Sequence, residues 1–286
     1  MDTLLFETKI HGLPDFPYMV YRGILPEYLT NYPVHWHREM EIIYIVSGRG
    51  IITVQANQYI AQTGDMVLIA PEMLHSIQQL NNETMDYFNI LFDFRLLEDS
   101  TSRCCEKYLK GIANHTKTVP IHIHRQDELA VLLTPHLDYL VEHRREKFDT
   151  DELMVKSCLY AILHHVNRFC TSSGDFVLHL EQSSAKIKRV IDYVQHHYAE
   201  NITVEQAAAL INYSANYFSR LFHTLTGTSF IRYVKDYRLE VAAHLLRSTE
   251  KTITEIAEET GFCHLPYFSR SFQQRFGLSP LQYRKS

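Results

Sequence analysis

The feature that most constrains this chain is a repeat near its C-terminus. A shift of 50 residues lays Tyr217-Phe218-Ser219-Arg220 on Tyr267-Phe268-Ser269-Arg270, Phe222 on Phe272, Gly227 on Gly277, Ser229 on Ser279, Tyr233 on Tyr283 and Ala207 on Ala257. Self-similarity at one fixed period marks a duplicated structural unit. Each copy reads as helix, tight turn, helix. In the first, VEQAAALI supplies a short helix with small alanines on its packing face, and Asn212-Tyr213-Ser214 supplies the turn. Ser214 is placed to cap the next helix, which turns Phe218, Leu221, Phe222 and Leu225 inward and ends at Gly227. In the second, the first helix opens at Ile253, Gly261-Phe262 makes the turn, and Phe268, Phe272 and Phe276 line the inner face before Gly277. Small residues where two helices cross, joined by a tight turn, are what a helix-turn-helix unit requires. The plainer reading makes each unit a helical hairpin of an all-α domain, with Arg220 and Arg270 as solvated charges. The duplication favours DNA binding.

In such a unit the second helix enters the major groove and its exposed N-terminal residues meet base edges. Those residues are Asn216, Ser219, Arg220 and His223 in the first copy and Leu265, Pro266, Ser269 and Arg270 in the second. Arginine pairs bidentately with guanine, and asparagine with adenine. Leu265 and Pro266 offer no such bonds. The second unit is therefore expected to read less sequence, through Ser269, Arg270 and apolar contact with a thymine methyl. A helix from about Phe230 to Leu246 separates the units. At ~1.5 Å per residue it spans roughly 25 Å, near the ~34 Å repeat of B-DNA, so both second helices can address successive major grooves. Charge agrees with this. Residues 186–286 hold 13 Lys/Arg against 9 Asp/Glu, net +4, whereas residues 1–185 hold 15 against 24, net −9, within an overall −5. The basic module lies at the C-terminal end.

The remaining sequence reads differently. From about 18 to 95, segments such as EIIYIVSGRGIITVQ and YIAQTGDMVLIAP are rich in Ile, Val and Tyr and are cut by glycine turns, the pattern of a sandwich or small barrel. From about 126 the period becomes helical, with Leu129, Leu132, Leu133, His136, Leu137 and Leu140 recurring at helical spacing and Pro135 as a bend or break. Asp151 reads as the cap of a second helix bearing Val155, Leu159, Ile162, Leu163 and Val166. These helices either cover the β domain or form a dimer seam. Residues 171–184 contain two turn-like clusters and read as a linker. The expected organisation is an N-terminal domain over 1–170 (arm 1–15, barrel about 18–95, helices about 104–170) and a DNA-binding domain over 185–286. No run of 18 apolar residues indicates a membrane span. The first residues lack the pattern of a secretory signal, so a cytoplasmic location is expected. The five cysteines, Cys104, Cys105, Cys158, Cys170 and Cys263, show no CxxC spacing and read as reduced thiols rather than metal ligands.

The stretch Ile187–Arg284 resembles the DNA-binding domain of the AraC/XylS family of transcription regulators. The resemblance lies in ITVEQAAA, YFSRLF, GTSF, YRLEVAAHLL, ITEIAEETGF, YFSRSF and above all GLSPLQYR. It covers about a third of the chain and departs from the family at Cys263-His264-Leu265-Pro266, where polar residues are more usual. In the N-terminal half, His35-x-His37-x-x-x-Glu41, then Gly48, Gly64-Asp65 and His75, resembles the cupin pattern and the sensor domains of these regulators. Residues 35, 37 and 41 share parity and on one strand face one side, with Trp36 opposite. Three readings stay open: a site for iron, manganese or zinc formed by His35, His37, Glu41 and His75; an effector site lined by these residues and Arg22; or a structural polar cluster. The resemblance implies an effector, often a sugar, and neither metal nor cofactor. It also implies a two-domain β + α fold, a cupin-like barrel with a helical dimerisation segment followed by an all-α domain. The partners it implies are double-stranded DNA, a second copy of the chain and, for an activator, RNA polymerase. A metal-dependent cupin enzyme carrying a DNA-binding module is the competing function.

Overall fold

β-branched and aromatic residues separated by turn formers give seven strands among the described residues up to Phe92: β1 (Tyr18–Leu25), β2 (Asn31–His35), β3 (Met40–Val54), β4 (Asn57–Gln62), β5 (Met66–Ile69), β6 (His75–Gln79) and β7 (Met85–Phe92). The computed structural model describes residues 12–26, 31–98, 103, 105–144, 151–172 and 175–285. Most of the expected arm, residues 1–11, and Cys104 lie outside them.

The 15-residue β3 organises the sheet. Its first half pairs antiparallel with β7 and β5, and its second half pairs with β4 and β6. Register shifts between Ile45 and Ser47, just before Gly48 at φ 76°. A Cβ at Gly48 would run into the Thr84 carbonyl, so only glycine lets the strand pass here. A bulge of this kind bends a strand and carries it from one layer to the next.

Alternation then splits the first layer into two faces. Met40, Ile42, Met66, Leu68, Ile90 and Phe92 belong to one buried cluster. Ile43, Ile45, Val67, Ile69, Met85 and Tyr87 belong to another, completed by Ile52, Val54, Ala61 and Ile77 of the second layer. The first cluster is closed by two helices, which cover the β domain as one of the two sequence readings proposed.

After a π-helical turn at Cys105–Leu109 come α1 (Lys110–Ala113), β8 (Lys117–Thr118), β9 (His122–Ile123), α2 (Glu128–Glu142) and α3 (Glu152–Phe169). The expectation of helices throughout 104–170 is corrected here, because β9 adds to the sheet by pairing with β5. Leu129, Leu133, Leu137 and Leu140 of α2 pack with Val155, Leu159, Ile162 and Val166 of α3. Pro135 does not break α2. It removes one N–H, and the helix continues because its leucine face is held on both sides. Asp151 takes the N-cap position of α3, as read, but makes no capping hydrogen bond; its Oδ1 accepts from Tyr139 Oη at 3.4 Å.

β10 (Thr171–Ser172) pairs with β8. The turn-like reading of 171–184 is overturned from Asp175 onward. There α4 (Asp175–His197) begins, and the two compact units of the chain divide between Leu180 and Glu181, inside that helix. Past Gly174 the segment contains no glycine or proline, and its serine pair is too weak a breaker to stop a helix.

The C-terminal unit continues with α5 (Val204–Leu210), α6 (Ala215–Thr226), α7 (Phe230–Ser248), α8 (Ile253–Glu259), α9 (Leu265–Phe276) and α10 (Pro280–Lys285). Phe218, Phe222, Phe230 and Tyr233 form one aromatic cluster. Leu239, Ala242, Ala243 and Leu246 pack with Ile256, Ala257, Phe262, Phe268 and Phe272. The first half of α7 thus serves the first unit and the second half serves the second. The fully buried phenylalanines are each worth about 3–5 kcal/mol against alanine. Among the described residues no helix is long and apolar enough to cross a membrane.

Candidate functional site

The two helix-turn-helix units are built alike but are not equal. α5 and α8 both open on a capping box, Thr203 with Gln206 and Thr252 with Glu255. Both turns use a positive φ, 58° at Asn212 and 80° at Gly261. Both close with an N–H to a buried alanine carbonyl: Tyr213 to Ala208 at 3.0 Å and Phe262 to Ala257 at 2.8 Å. Each of these pairs lies 49 residues apart, whereas α6 and α9 lie 50 apart. The single 50-residue shift is therefore corrected for the first helices, where Ala257 is the partner of Ala208, not of Ala207. Cys263 is the extra residue, in the second turn.

That insertion alters the start of the next helix. Ser214 caps α6, its hydroxyl accepting from Tyr217 N at 3.3 Å. His264 sits at the cap of α9 without a capping bond, and Pro266 occupies the first turn. Asn216, Arg220 and His223 are exposed on α6, with Ser219 half-buried. Leu265, Pro266 and Arg270 are exposed on α9, with Ser269 half-buried. Neither Arg220 nor Arg270 meets a carboxylate among the described residues.

The other arginines hold the unit together. Arg238 donates to the carbonyls of Tyr198, Glu200 and Gly261 at 2.7, 2.7 and 2.9 Å. This clamps α7 to the segment before α5 and to the second turn. Arg275 on α9 pairs with Glu240 on α7 at 2.8 Å, both nearly buried. Arg284 donates to Leu246 and Lys251 carbonyls at 3.2 and 2.5 Å. Sequence reasoning does not single out Tyr217 and Tyr267, which are 45% and 55% exposed beside buried phenylalanines. The signal is present in the repeated YFSR, where an aromatic residue keeps a surface position.

In the N-terminal unit, His35, His37, Glu41 and His75 come together, but not from one strand. His35 ends β2, His37 lies in the connection, Glu41 is on β3, and His75 opens β6 opposite His35. The expectation of a single strand with matching parity is corrected: the connection between β2 and β3 brings the residues together, where parity along one strand was expected to. Glu41 shares the inward parity of Ile43 and Ile45, and His75 that of Ile77. All four residues are buried. Glu41 Oε2 lies 3.0 Å from His37 Nε2 and 2.9 Å from His75 Nε2. Each Nδ1 meets a backbone carbonyl: Pro33 for His35 at 2.9 Å, Glu39 for His37 at 3.1 Å, Met73 for His75 at 2.8 Å. Burial pushes the Glu41 carboxyl up, but the charge and hydrogen bonds of His75 and His37 outweigh it and hold it well below the usual carboxylate range. Tyr87, missed in the sequence, stands near enough for Glu41 to add to the rise that burial gives its hydroxyl. Its ring lies over Gly23, which faces it across β1 and β7.

Arg22 is half-exposed and pairs bidentately with Asp86 at 3.0 and 2.6 Å. Trp36 is buried.

Comparisons with known proteins agree with both units. A family model described as a helix-turn-helix domain matches residues 207–286, and one described as an AraC-like ligand binding domain matches residues 19–110. The chain is 24% identical, over all of its length and 97% of the relative's, to an uncharacterized HTH-type transcriptional regulator of Bacillus subtilis, YdeC. The C-terminal domain of AraT, a response regulator from Geobacillus stearothermophilus, is 40% identical over 35% of this chain and 84% of that one, with a TM-score of 0.34. ToxT from Vibrio cholerae is 14% identical over 94% of this chain and 98% of that one, with a TM-score of 0.47.

Proposed function

Because this chain belongs to the AraC-type family of DNA-binding transcription regulators and carries an AraC-like ligand-binding domain, we propose that it is an effector-responsive regulator whose base reading falls mainly on α6. The carrying observation is the contrast between the two second helices. α6 is capped by a side chain and exposes Asn216, Arg220 and His223, whereas α9 is uncapped and opens on Leu265 and Pro266. Asn216, Ser219, Arg220 and His223 read base edges; Leu265, Pro266 and Ser269 add apolar and phosphate contacts, and Arg270 binds backbone phosphate. The 19-residue α7 spans about 28 Å and supports engagement of successive major grooves. Selection of duplexes from a random pool by the full chain tests this. Two conserved blocks about one helical turn apart, the stronger under α6, are expected; enrichment of no sequence would overturn it.

The resemblance alone supports the finer parts of the reading: a cytoplasmic activator of carbohydrate or related catabolic genes, with a sugar as effector and RNA polymerase as partner. Val131 on α2 and Leu153 and Met154 on α3 are exposed, which supports a homodimer through these helices. Sedimentation of the full chain and of Leu153→Glu checks it, a monomer being expected for the variant only. His35, His37, Glu41 and His75 form the polar end of the effector domain. Arg22, paired with Asp86, is the further effector-binding candidate.

A further inference from the structure

We propose that Asp65, His122 and His124 bind one divalent first-row transition-metal ion at the end of β5 away from Glu41. The proposal goes beyond the regulatory reading and does not rest on it.

Strand parity and pairing bring the three residues together. His122 and His124 flank Ile123, so along one strand their rings take one face while Ile123 turns the other way, into the first core cluster. β9 pairs antiparallel with β5, Met66 opposite Ile123 and Val67 opposite His122. One step further along the same register sets Asp65 opposite His124. Asp65 follows Gly64, whose φ of 86° makes the tight turn before β5. Glu41 pairs with Ile69 at the other end of that strand. From Ile69 to Asp65 is about 13 Å at ~3.3 Å per residue, so the two groups are separate.

The backbone fixes the carboxylate first. Asp65 Oδ1 accepts from Arg125 N at 3.1 Å, and Oδ2 accepts from Gln62 N at 3.2 Å. Backbone bonds of this kind are the outer support that orients a ligating carboxylate. Two imidazoles then converge on the same oxygen. His122 Nε2 lies 3.1 Å from Oδ2 and His124 Nδ1 lies 3.6 Å from it, with the two ring centroids 4.2 Å apart. A structural role for Asp65 needs only one of these rings. An N–H of His122 at 3.1 Å completes the carboxylate, and 3.6 Å is too long for a hydrogen bond from His124. A cation gives both rings a use, because each nitrogen then turns its lone pair, not a proton, toward the centre.

The spacing suits such an ion. Two ligands ~2.1 Å from a metal stand about 3.0 Å apart at a right angle and about 3.6 Å apart at 120°, the range that the two Asp65 contacts span. One ligand atom from each of the three residues lies within 4.8 Å of the other two. Asp65 and His122 are 1% and 11% exposed and hold their places, while His124, 60% exposed, has room to close the remaining distance. Its open side leaves the other coordination positions to water. Two imidazoles and one carboxylate suit zinc, iron, nickel or copper rather than calcium or magnesium, which take oxygen ligands. His124 N also donates to Asp127 Oδ2 at 2.8 Å, and Asp127 stands at the N-cap of α2. An ion held here ties the entry of α2 to the turn before β5.

The test uses the full chain, stripped with a chelator and titrated with Zn2+ by calorimetry, beside His124→Gln, His122→Gln and His196→Gln. His196 is an exposed histidine of the other unit. Any Zn2+ taken up elsewhere in the chain, the buried group around Glu41 included, is common to the unmodified chain and to His124→Gln, so their difference reports this site alone. One equivalent per chain should weaken by more than about 100-fold in His124→Gln and in His122→Gln, since loss of a ligand exceeds the 10- to 100-fold cost of losing its outer support. His196→Gln should match the unmodified chain. Circular dichroism verifies folding; should His122→Gln unfold, the exposed His124→Gln decides by itself. Identical isotherms for the unmodified chain and folded His124→Gln overturn the proposal. So does an equal loss in His196→Gln, which would show Zn2+ held by surface histidines at large.

Discussion

Replacing Arg220 with alanine should cost sequence discrimination, whereas replacing Arg270 should cost affinity evenly. Both arginines are exposed, sit six residues into their helices, and meet no carboxylate among the described residues. Alanine is the best helix former, so neither substitution removes an internal bond or weakens its helix. The effect on DNA is therefore read without a folding term. A bidentate guanidinium–guanine pair contributes about 1–3 kcal/mol, roughly 5- to 150-fold at one base pair. Arg220→Ala should lose that preference at a single position in a selected consensus and leave the rest of the profile intact. Arg270→Ala should keep the consensus, bind every duplex more weakly, and reduce the slope of log affinity against log salt by about 0.9, the release expected from one phosphate. Anisotropy titrations of the consensus duplex and its single-position variants, at several salt concentrations, measure both quantities. Equal broadening of the consensus by the two substitutions, or a salt slope that falls more for Arg220→Ala, would refute the division of labour between α6 and α9.

The remaining expectations concern stability. Arg275→Ala strands the buried Glu240 and should cost about 3–5 kcal/mol by denaturant titration, while Glu240→Gln keeps an acceptor for Arg275 and should cost clearly less. Burial raises the Glu240 carboxyl pKa and Arg275 opposes this only in part. The stability from this group is thus full below the unfolded value and is lost as pH rises through the folded one; Glu240→Gln should flatten that part of the pH profile. Ser214→Ala should lose about 1 kcal/mol of capping, His264→Ala almost nothing, and His264→Ser should gain stability; a loss with His264→Ser would show that the imidazole does something the cap position does not reveal. Gly261→Ala places a Cβ 2.8 Å from the Ala199 carbonyl at φ 80° and should cost more than about 1 kcal/mol, whereas Asn212→Gly, at the matching turn, should change thermal stability little.

What could be read in the sequence depends on how far apart the deciding residues lie. The phenylalanine cores of both units, the glycine stops and the long α7 rest on local periodicity and on residues with a single conformational use, and the repeat exposes them. The His-Glu cluster was legible as a set of residues but not as a geometry. His35, His37, Glu41 and His75 come from two strands, a connection and the start of a third strand, and only the pairing of β2 with β6 and the bend of β3 turn their polar atoms toward one another. The ion pair of Arg22 was hidden for the same reason, because its partner Asp86 lies 64 residues away on β7.

The inequality of the two DNA-binding units shows the limit of reading by residue identity. Equivalence of α6 and α9 is carried by Tyr, Phe, Ser and Arg in both copies, which an identity match detects. Equivalence of the first helices is carried by chemically different residues in the same structural roles, with Gln206 and Glu255 closing a capping box and Asn212 and Gly261 accepting a positive φ. Matching roles rather than letters gives a 49-residue spacing there and leaves Cys263 as one inserted residue. With Tyr213 followed directly by Ser214, a hydroxyl arrives where α6 begins. With Phe262 followed by Cys263, the position before α9 falls on His264, whose side chain makes no cap. The second helix must then start on Leu265 and Pro266, and Pro266 is tolerated because the first turn has no use for its missing N–H. One residue in a turn thus accounts for the weaker cap and for the apolar face that α9 presents at its N-terminus.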